Sequence, residues 1–264
     1  MVTDNCLGFP VFTGSLGKLG FPQKTLITTI NQYSLCIAQR DEQFKKALVH
    51  SDLLLPDGIG IVKAFKFLTG KEVKKFSGSD LHNLMLKRMD AISGKCFYLG
   101  SSDETLAKIR QRLSIEYPNI SVGTFSPPYK PEFDEEDNKA MAEAVNAFEP
   151  DVLFVGMTAP KQEKWAAANK ENLNANVICA IGAVFDFYAG TVERPSEFWV
   201  DNGMEWLGRF FSEPKRLWKR YLYFGFVFGY YLAREKTRLV LRKAPKNYRD
   251  MTMTAKFAKH ETSH

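Results

Sequence analysis

The chain has 264 residues, a formal net charge of +6 and a hydrophobic content of 45%, which excludes an intrinsically disordered protein. Its length suits one large domain, or one domain with an appendage. No apolar stretch reaches the roughly 18 residues of a membrane-spanning helix, and the N-terminus lacks the basic and apolar regions of a signal peptide, so we expect a cytoplasmic protein.

Predicted strands and helices alternate along most of the chain. Six short, nearly continuous apolar stretches are predicted strands: residues 25–30, 53–55, 95–100, 120–125, 151–156 and 176–183. Helical patterns follow them over residues 31–49, 58–70, 77–89, 101–117, 134–148 and 160–173. Parallel strands that are buried on both faces have this continuous apolar character. The pattern therefore predicts an α/β, Rossmann-like fold, with a mostly parallel sheet and helices on both faces.

Three helix starts have recognisable signals. Ser and Asp in SGSDL, residues 77–81, are N-cap candidates. Ser101 and Glu104 have the spacing of a capping box. Pro160 is expected in the first turn of the next helix, where its missing N–H group costs no hydrogen bond.

Small, polar and turn-forming residues collect where the predicted strands end. In an open α/β sheet, ligands bind beyond the carboxyl ends of the strands. The residues at these positions are Thr29, Asn31, Asp57, Gly58, Gly60, Gly100, Ser101, Ser102, Pro127, Pro128, Tyr129, Gly156, Lys161, Gln162, Gly182 and Asp186. Such a set is typical of a site for a nucleotide or a nucleotide sugar, although loops in general are rich in these residues.

Asp57 directly follows a predicted strand and precedes Gly58 and Gly60. One interpretation is structural: its carboxylate caps the helix that follows by accepting hydrogen bonds from helix N–H groups. The other is catalytic: a carboxylate in a partly dry rim can take the proton from a hydroxyl group as that hydroxyl attacks. The neighbouring residues leave both interpretations open.

A nicotinamide-dependent oxidoreductase is an alternative class of enzyme. Gly58 and Gly60 give part of a dinucleotide-binding turn, but Lys63 stands where the third glycine is expected, and no Walker A pattern is present. The glycines are therefore weak support for such an enzyme.

No metal ion or other cofactor is predicted. The four cysteines form no CxxC pair and the four histidines are scattered, so we expect reduced, buried thiols. The acidic run at residues 134–137 is expected to start a helix and not to bind Mg²⁺. A leaving diphosphate would then need cationic side chains of the protein.

Five separated blocks of the chain, in order, are TINQYSLCIA, LLLPDGIGIVKAFKFLTG, FSGSDL, VGMTAPKQEKW and AIGAVFDFYAGTVERPSEFWVDNGMEWLGRFFSEPKRLWKRYL. Together they resemble the motifs of the WecG/TagA/CpsF family of bacterial glycosyltransferases. The resemblance implies an inverting transfer of a hexose-type sugar from a UDP-sugar to a polyprenyl-diphosphate-linked sugar. The sugar would be N-acetylmannosamine, its uronic acid or glucose, and the product an intermediate of a cell-surface polysaccharide. The family also suggests self-association into a homo-oligomer.

The resemblance also assigns residues. It makes Asp57 the base, with Thr29 and Gln162 as further catalytic residues. Substrate binding would involve Asn31, Gly58, Gly60, Ser79, Asp80, Gly100, Ser101, Gly156, Lys161, Glu163, Gly182, Asp186 and Arg194. Three C-terminal arginines that could close over the site and hold a diphosphate are Arg209, Arg216 and Arg220.

The positive charge is concentrated near the C-terminus. Residues 209–249 hold 12 of the 36 Lys and Arg residues but only 2 of the 30 acidic residues. Residues 221–233 form an aromatic, apolar run that would be about 20 Å long as a helix, too short for a hydrocarbon core of about 30 Å. This pattern predicts an interfacial helix on the anionic inner face of the plasma membrane. The alternatives are a helix pair packed on the domain and, less well matched, a surface for single-stranded nucleic acid.

These patterns divide the chain into three parts. We expect an α/β glycosyltransferase core over residues 1–195, a helical appendage over residues 196–249 and a disordered tail over residues 250–264. The appendage would serve as an active-site lid and a membrane contact.

Overall fold

A computed structural model describes residues 2–18, 20–21, 24–192, 199, 207, 210 and 214–243. Its centre is an eight-stranded sheet, and the strands are β1 (Thr3–Cys6), β2 (Phe9–Phe12), β3 (Thr25–Ile30), β4 (Leu53–Pro56), β5 (Lys95–Gly100), β6 (Ser121–Phe125), β7 (Val152–Gly156) and β8 (Val177–Ala180). Their order in the sheet is β1-β2-β4-β3-β8-β7-β5-β6. Only the β1–β2 pair is antiparallel, and the other pairs described are parallel.

The helices are α1 (Gln32–Ala38), α2 (Glu42–Val49), α3 (Ile59–Thr69), α4 (Gly78–Ala91), α5 (Asp103–Glu116), α6 (Glu135–Phe148), α7 (Lys161–Asn169), α8 (Val184–Ala189), α9 (Pro214–Trp218) and α10 (Phe224–Lys243). A π-helical turn, Lys219–Tyr223, joins α9 to α10. Short 3₁₀ turns lie at Leu16–Lys18 and Lys170–Asn172.

Helices cover both faces of the sheet, as predicted. On one face, α4, α5 and α8 pack Leu86, Ile109 and Phe185 against Tyr98 and Phe154 of the sheet. On the other face, one cluster joins α6 and α7 to β5, β7, β8 and β3, and a second joins α1, α2, α3 and α10 to β2 and β4. The α/β fold class is therefore confirmed.

The strand order reverses between β5 and β7. The chain leaves β5 for its outer neighbour β6, whereas it leaves β7 for its inner neighbour β8. The helices that follow, α5 and α7, lie on opposite faces of the sheet. Adjacent strands whose connections diverge in this way leave a crevice at their carboxyl ends, and in doubly wound folds ligands bind in that crevice.

Four local predictions need correction. The hairpin of β1 and β2 was not predicted, because its four-residue strands are too short for a clear pattern and Pro10 interrupts the second. Residues 31–49 form two helices, since Asp41 caps a new one by accepting the Phe44 N–H. The predicted strand over residues 176–183 ends at Ala180.

The fourth correction concerns the cap of α5. Ser102, and not Ser101, is its N-cap residue, and its hydroxyl accepts the Thr105 N–H at 3.3 Å. Gly100 and Ser101 have φ angles of +123° and +60°, so the turn after β5 is one residue longer than the proposed capping box allows. Pro160 directly precedes α7, next to its predicted place in the first turn.

The C-terminal helix α10 packs on the core. Phe224 and Phe228 are buried, and the Phe224 ring meets Tyr33 of α1 edge to face with 4.9 Å between centroids. Lys236 donates a hydrogen bond to the carbonyl oxygen of Phe67 in α3 at 2.7 Å. Within the described residues, no helix is both long enough and apolar enough to cross a membrane. The predicted domain boundary near residue 195 and the predicted tail over residues 250–264 lie outside the described residues.

Candidate active site

The carboxyl ends of β3 and β4 bring Asp57 beside Asn31. Ile30 pairs with Pro56 in the parallel register, and the Asp57 N–H donates to the Ile30 carbonyl oxygen at 2.9 Å. The turn at Gly58 has a φ angle of +81°, and a Cβ atom there would lie 3.9 Å from Asn31 Cβ. The two polar residues that follow these strands therefore share one edge of the rim.

Asn31 has a defined structural task. Its Oδ1 atom accepts the N–H groups of Tyr33 and Ser34 at 3.1 and 3.0 Å, and Ser34 Oγ in turn accepts the Asn31 N–H at 2.8 Å. This reciprocal pair caps α1 and fixes the amide orientation. The amide NH₂ group is the part of Asn31 that remains for a ligand.

Gly58 is the N-cap residue of α3, and it has no side chain with which to cap the helix. Asp57 therefore does not occupy the usual capping position, and its side chain is half-buried at the rim. At Gly60 an added Cβ atom would come within 2.3 Å of Gln32 Oε1, so the first turns of α1 and α3 approach closely. Thr29, two residues before Asn31, is the second-last residue of β3 and is also partly exposed.

Two glycines stand at the carboxyl ends of β5 and β7. Gly100 and Gly156 are register partners, and a Cβ atom on Gly100 would lie 2.4 Å from the Gly156 carbonyl oxygen. A Cβ atom on Gly156 would fall 2.5 Å from the ring of Phe185. Only glycine lets the backbone pass here without displacing its neighbours, and the N-terminus of α5 begins just beyond.

Gln162 and Glu163 open α7 and are both buried, at 4% and 2% exposure. Gln162 Oε1 accepts the Met157 N–H at 3.3 Å, and Gln162 Nε2 donates to Glu163 Oε1 at 2.9 Å. A Cβ atom on Gly182, which follows β8, would lie 3.4 Å from Gln162 Nε2. Burial raises the pKa of the Glu163 carboxyl to about 7, and the hydrogen bond from Gln162 opposes that rise.

Other residues assigned to substrate binding already hold protein groups in place. Lys161 Nζ donates to the Lys130 carbonyl oxygen at 2.7 Å and lies 4.1 Å from the centroid of Phe133, so it fastens the loop after β6. Partial burial lowers the pKa of Lys161. Ser77 is the N-cap residue of α4, and Asp80 completes its capping box by accepting the N–H and the hydroxyl of Ser77 at 2.8 and 2.7 Å.

The remaining assigned residues are less closely defined. Ser79 lies partly exposed in the first turn of α4, and Asp186 lies partly exposed in α8. Ser101 contacts the segment that follows β6, because its carbonyl oxygen accepts the Ser126 hydroxyl at 2.8 Å. Arg194 lies outside the described residues.

One of the three C-terminal arginines reaches the rim. The Arg220 guanidinium lies 4.8 Å from the centroid of the Tyr33 ring, and Tyr33 is two residues beyond Asn31. The π-helical turn that joins α9 to α10 thus meets the first turn of α1, which directly follows β3. Arg209 lies outside the described residues, and at Arg216 the backbone alone is described. Tyr33 was missed by sequence reasoning because nothing local distinguishes it from any other aromatic in a first helical turn.

Among the residues that the structure describes, no group of three or more His, Cys, Asp and Glu side chains could hold a metal ion. The prediction that no metal is needed stays a prediction. The site is then formed by one carboxylate beside Asn31, by the buried pair that begins α7, by two close glycine turns and by a guanidinium from the appendage.

This arrangement is that of a doubly wound α/β protein whose ligand-binding edge is made by the carboxyl ends of its parallel strands. A sequence model of the Glycosyl transferase WecG/TagA/CpsF family matches residues 16–242, so the chain belongs to that family of glycosyltransferases.

Curated relatives carry a more specific name. The chain is 27% identical over 185 residues to a Bacillus spizizenii protein named N-acetylglucosaminyldiphosphoundecaprenol N-acetyl-beta-D-mannosaminyltransferase, with 70% of each chain covered. Proteins of the same name from Bacillus subtilis strain 168 and Staphylococcus aureus strain MW2 are 27% and 25% identical over 197 and 191 residues. These matches cover 75% of each chain in the first case, and 72% of this chain and 73% of the relative in the second.

Proposed function

We propose that the chain transfers a hexose-type sugar from a UDP-sugar to a polyprenyl-diphosphate-linked sugar, in the synthesis of a bacterial cell-surface polysaccharide. The family match and the relatives' name support a transferase of N-acetylmannosamine or a similar sugar. The observation that carries the proposal is the position of Asp57, at the carboxyl edge of the sheet beside Asn31 and outside the N-cap position of α3.

The proposed chemistry is a single displacement. An acceptor hydroxyl attacks the anomeric carbon while Asp57 takes its proton, and the bond from that carbon to the UDP oxygen breaks with its electron pair leaving on UDP. Attack opposite the leaving group inverts the anomeric centre. No covalent intermediate is needed, so the absence of a nucleophile elbow in the sequence is consistent with this route.

The UDP group is proposed to lie in the β5/β7 crevice. The backbone turns at Gly100, which has a φ angle of +123°, and the 14-residue helix α5 begins just beyond, so its N-terminal N–H groups lie at the same edge. Gln162 borders this crevice from α7 and would contact the sugar or its phosphate.

Cationic side chains are proposed to stabilise the diphosphates in place of a metal ion. Arg220 is brought to the rim by its contact with Tyr33, and a guanidinium can hold two phosphate oxygens at once. Arg209 and Arg216 are proposed to join it, on the resemblance alone.

The appendage is proposed to rest on the anionic cytoplasmic face of the plasma membrane. One face of α10 is buried through Phe224 and Phe228, whereas Phe226 and Tyr230 on the opposite face are 83% and 63% exposed. Exposed aromatics with basic neighbours suit a membrane interface, which would bring the site to its lipid-linked acceptor. Part of the segment thus packs on the domain, and the other part is left for the membrane.

The experiment is a screen of UDP-sugars with a short lipid-diphosphate-linked acceptor, scored by UDP release. Release that requires both substrates, and that an Asp57→Asn variant loses while still binding UDP, supports the proposal. Tighter binding of NAD or NADP than of UDP in calorimetry would favour the oxidoreductase alternative. Turnover of the Asp57→Asn variant close to that of the unmodified chain would reject Asp57 as the base.

A further inference from the structure

The buried carboxyl group of Glu163 is unusual because it is ionisable and nearly inaccessible. Glu163 is 2% exposed, and its Oε1 atom accepts the Gln162 Nε2 at 2.9 Å. Its Oε2 atom is buried without a hydrogen-bond partner among the described residues. The carboxyl group is thus held among protein atoms, and the Gln162 amide is the side chain to which it is hydrogen-bonded.

Glu163 instead completes a short chain of hydrogen bonds through Gln162. The Met157 N–H donates to Gln162 Oε1 at 3.3 Å, and the Gln162 NH₂ group donates to Glu163. The two ends of an amide are chemically different, so these partners favour one orientation. In the flipped orientation the NH₂ group would face the Met157 N–H, and the amide oxygen would face the carboxyl oxygen of Glu163.

We propose that Glu163 is a positioning residue that holds the Gln162 amide in one orientation, so that the second N–H of its NH₂ group is presented to the bound sugar nucleotide. Gly182 lies against this amide, because a Cβ atom there would be 3.4 Å from Gln162 Nε2 and 3.6 Å from Gln162 Oε1. The catalytic consequence rests on the proposed function. The orientation of the amide does not.

Among the groups around Glu163, the protonation state of Glu163 itself is what changes its hydrogen bond to the Gln162 amide. The strands packed against α7, which are β3, β7 and β8, contain no acidic or basic residue. Nearby charges are engaged elsewhere: Lys164 pairs with Asp41 at 2.5 Å, Lys170 with Asp52 at 2.8 Å, and Lys161 donates to Lys130. The other charged residues of α2 and of the turn after α7 are Glu42, Lys45, Lys46 and Glu171.

The raised pKa of Glu163, about 7, means that its ionised fraction changes near neutral pH. The carboxylate is a stronger acceptor for the Gln162 NH₂ group than the neutral acid, so the amide is held more firmly as the pH rises.

The first test observes the amide directly and does not depend on activity. In ¹⁵N-correlated NMR spectra, the side-chain NH₂ signals of Gln162 are identified by their loss in a Gln162→Leu variant. We expect these signals to shift with pH with a midpoint near 7 in the unmodified chain, and to stay constant from pH 5.5 to 8.5 in Glu163→Gln. Signals that do not titrate, or that titrate alike in both proteins, overturn the proposal.

The second test measures turnover with the active UDP-sugar. Glu163→Met removes the acceptor at similar volume, and we expect kcat to fall about tenfold with the donor KM within about twofold, because the loss is one of orientation. Glu163→Gln should restore most of the rate, since its amide oxygen can accept the same hydrogen bond. Glu143→Gln, on the exposed side of α6, is the matched control.

A double-variant cycle decides whether Glu163 acts through Gln162. Combining Glu163→Met with Gln162→Leu should cost no more than Gln162→Leu alone. Additive losses, or a Glu163→Met rate equal to that of the unmodified chain, overturn the positioning role. If no UDP-sugar is turned over by the unmodified chain, the proposed function fails, and the NMR titration still decides whether Glu163 orients the amide.

Discussion

The buried Glu163 predicts an unusual dependence of stability on pH. In the folded chain its pKa is raised from 4.5 to about 7, mainly by burial. Between these values the folded state binds more protons than the unfolded state, so the free energy of unfolding falls as the pH rises. The stabilisation that comes from the raised pKa of Glu163 is fully present below about pH 4.5 and is lost as the pH rises through 7.

The magnitude follows from the shift. Each pKa unit corresponds to 1.36 kcal/mol, so a rise from 4.5 to about 7 lowers the free energy of unfolding by about 3 kcal/mol between pH 4.5 and pH 8. Glu163→Gln resembles the protonated side chain at all pH values. We therefore expect its stability, relative to the unmodified chain, to increase by about 3 kcal/mol over this interval.

Urea unfolding at pH 5, 6, 7 and 8 measures this difference. Any constant effect of the substitution on packing appears equally at every pH, and only the pH-dependent part tests the reasoning. Glu143→Gln should give a flat difference, because Glu143 is exposed on α6. A difference between Glu163→Gln and the unmodified chain that changes by less than about 0.5 kcal/mol from pH 5 to pH 8 would refute the raised pKa.

Three further predictions concern the proposed reaction and the membrane contact. Asp57→Asn should lower kcat by about 10²-fold or more with UDP affinity unchanged in calorimetry, since the amide cannot take the proton; a smaller effect would point to a different base. Excess EDTA should leave most of the UDP release intact, whereas complete loss that Mg²⁺ or Mn²⁺ restores would show that cationic side chains are not the main partners of the diphosphate. Replacing both Phe226 and Tyr230 by Ser should lower flotation with anionic vesicles at least about tenfold, while Ile115→Ser, which changes an equally exposed residue of α5, should not. Equal flotation of the two would remove the membrane role of this face.

The parallel core was predictable because burial on both faces leaves a strong local signature. The runs at residues 25–30 and 95–100 coincide with β3 and β5, since the first is apolar or β-branched throughout and the second is apolar between Lys95 and Gly100. The β1–β2 hairpin lacks such a signature. It is short, Pro10 interrupts it, and its turn depends on positive φ angles at Leu7 and Gly8 that are easy to overlook at a non-glycine position.

The candidate site was predictable in part for the same reason. Once the strands are predicted, the residues at their carboxyl ends are predicted to lie along one edge of the sheet. These residues include Asp57, Asn31 and the glycines. What local sequence cannot reveal is how the side chains pair. The run KQE at the start of α7 reads as an ordinary exposed first turn, yet Gln162 and Glu163 are buried there because α7 packs on α2 and the sheet. The contact between Arg220 and Tyr33 joins residues that are far apart in the chain and exists only in the folded protein.

The docking of α10 gives the rim two unequal sides. Phe224 meets Tyr33, and Arg220 meets the same ring, so the appendage contacts the first turn of α1, which directly follows Asn31 and β3. The glycine turns lie on the other side, at β5 and β7, with Gln162 and Gly182 between. A lipid-linked acceptor that approaches from the aromatic face of α10 would therefore reach the side that holds Asp57 first. The UDP group would occupy the crevice beyond. This separation suits a displacement in which the acceptor and the leaving group lie on opposite sides of the anomeric carbon, and it gives the appendage a reason to pack on α1 instead of lying free.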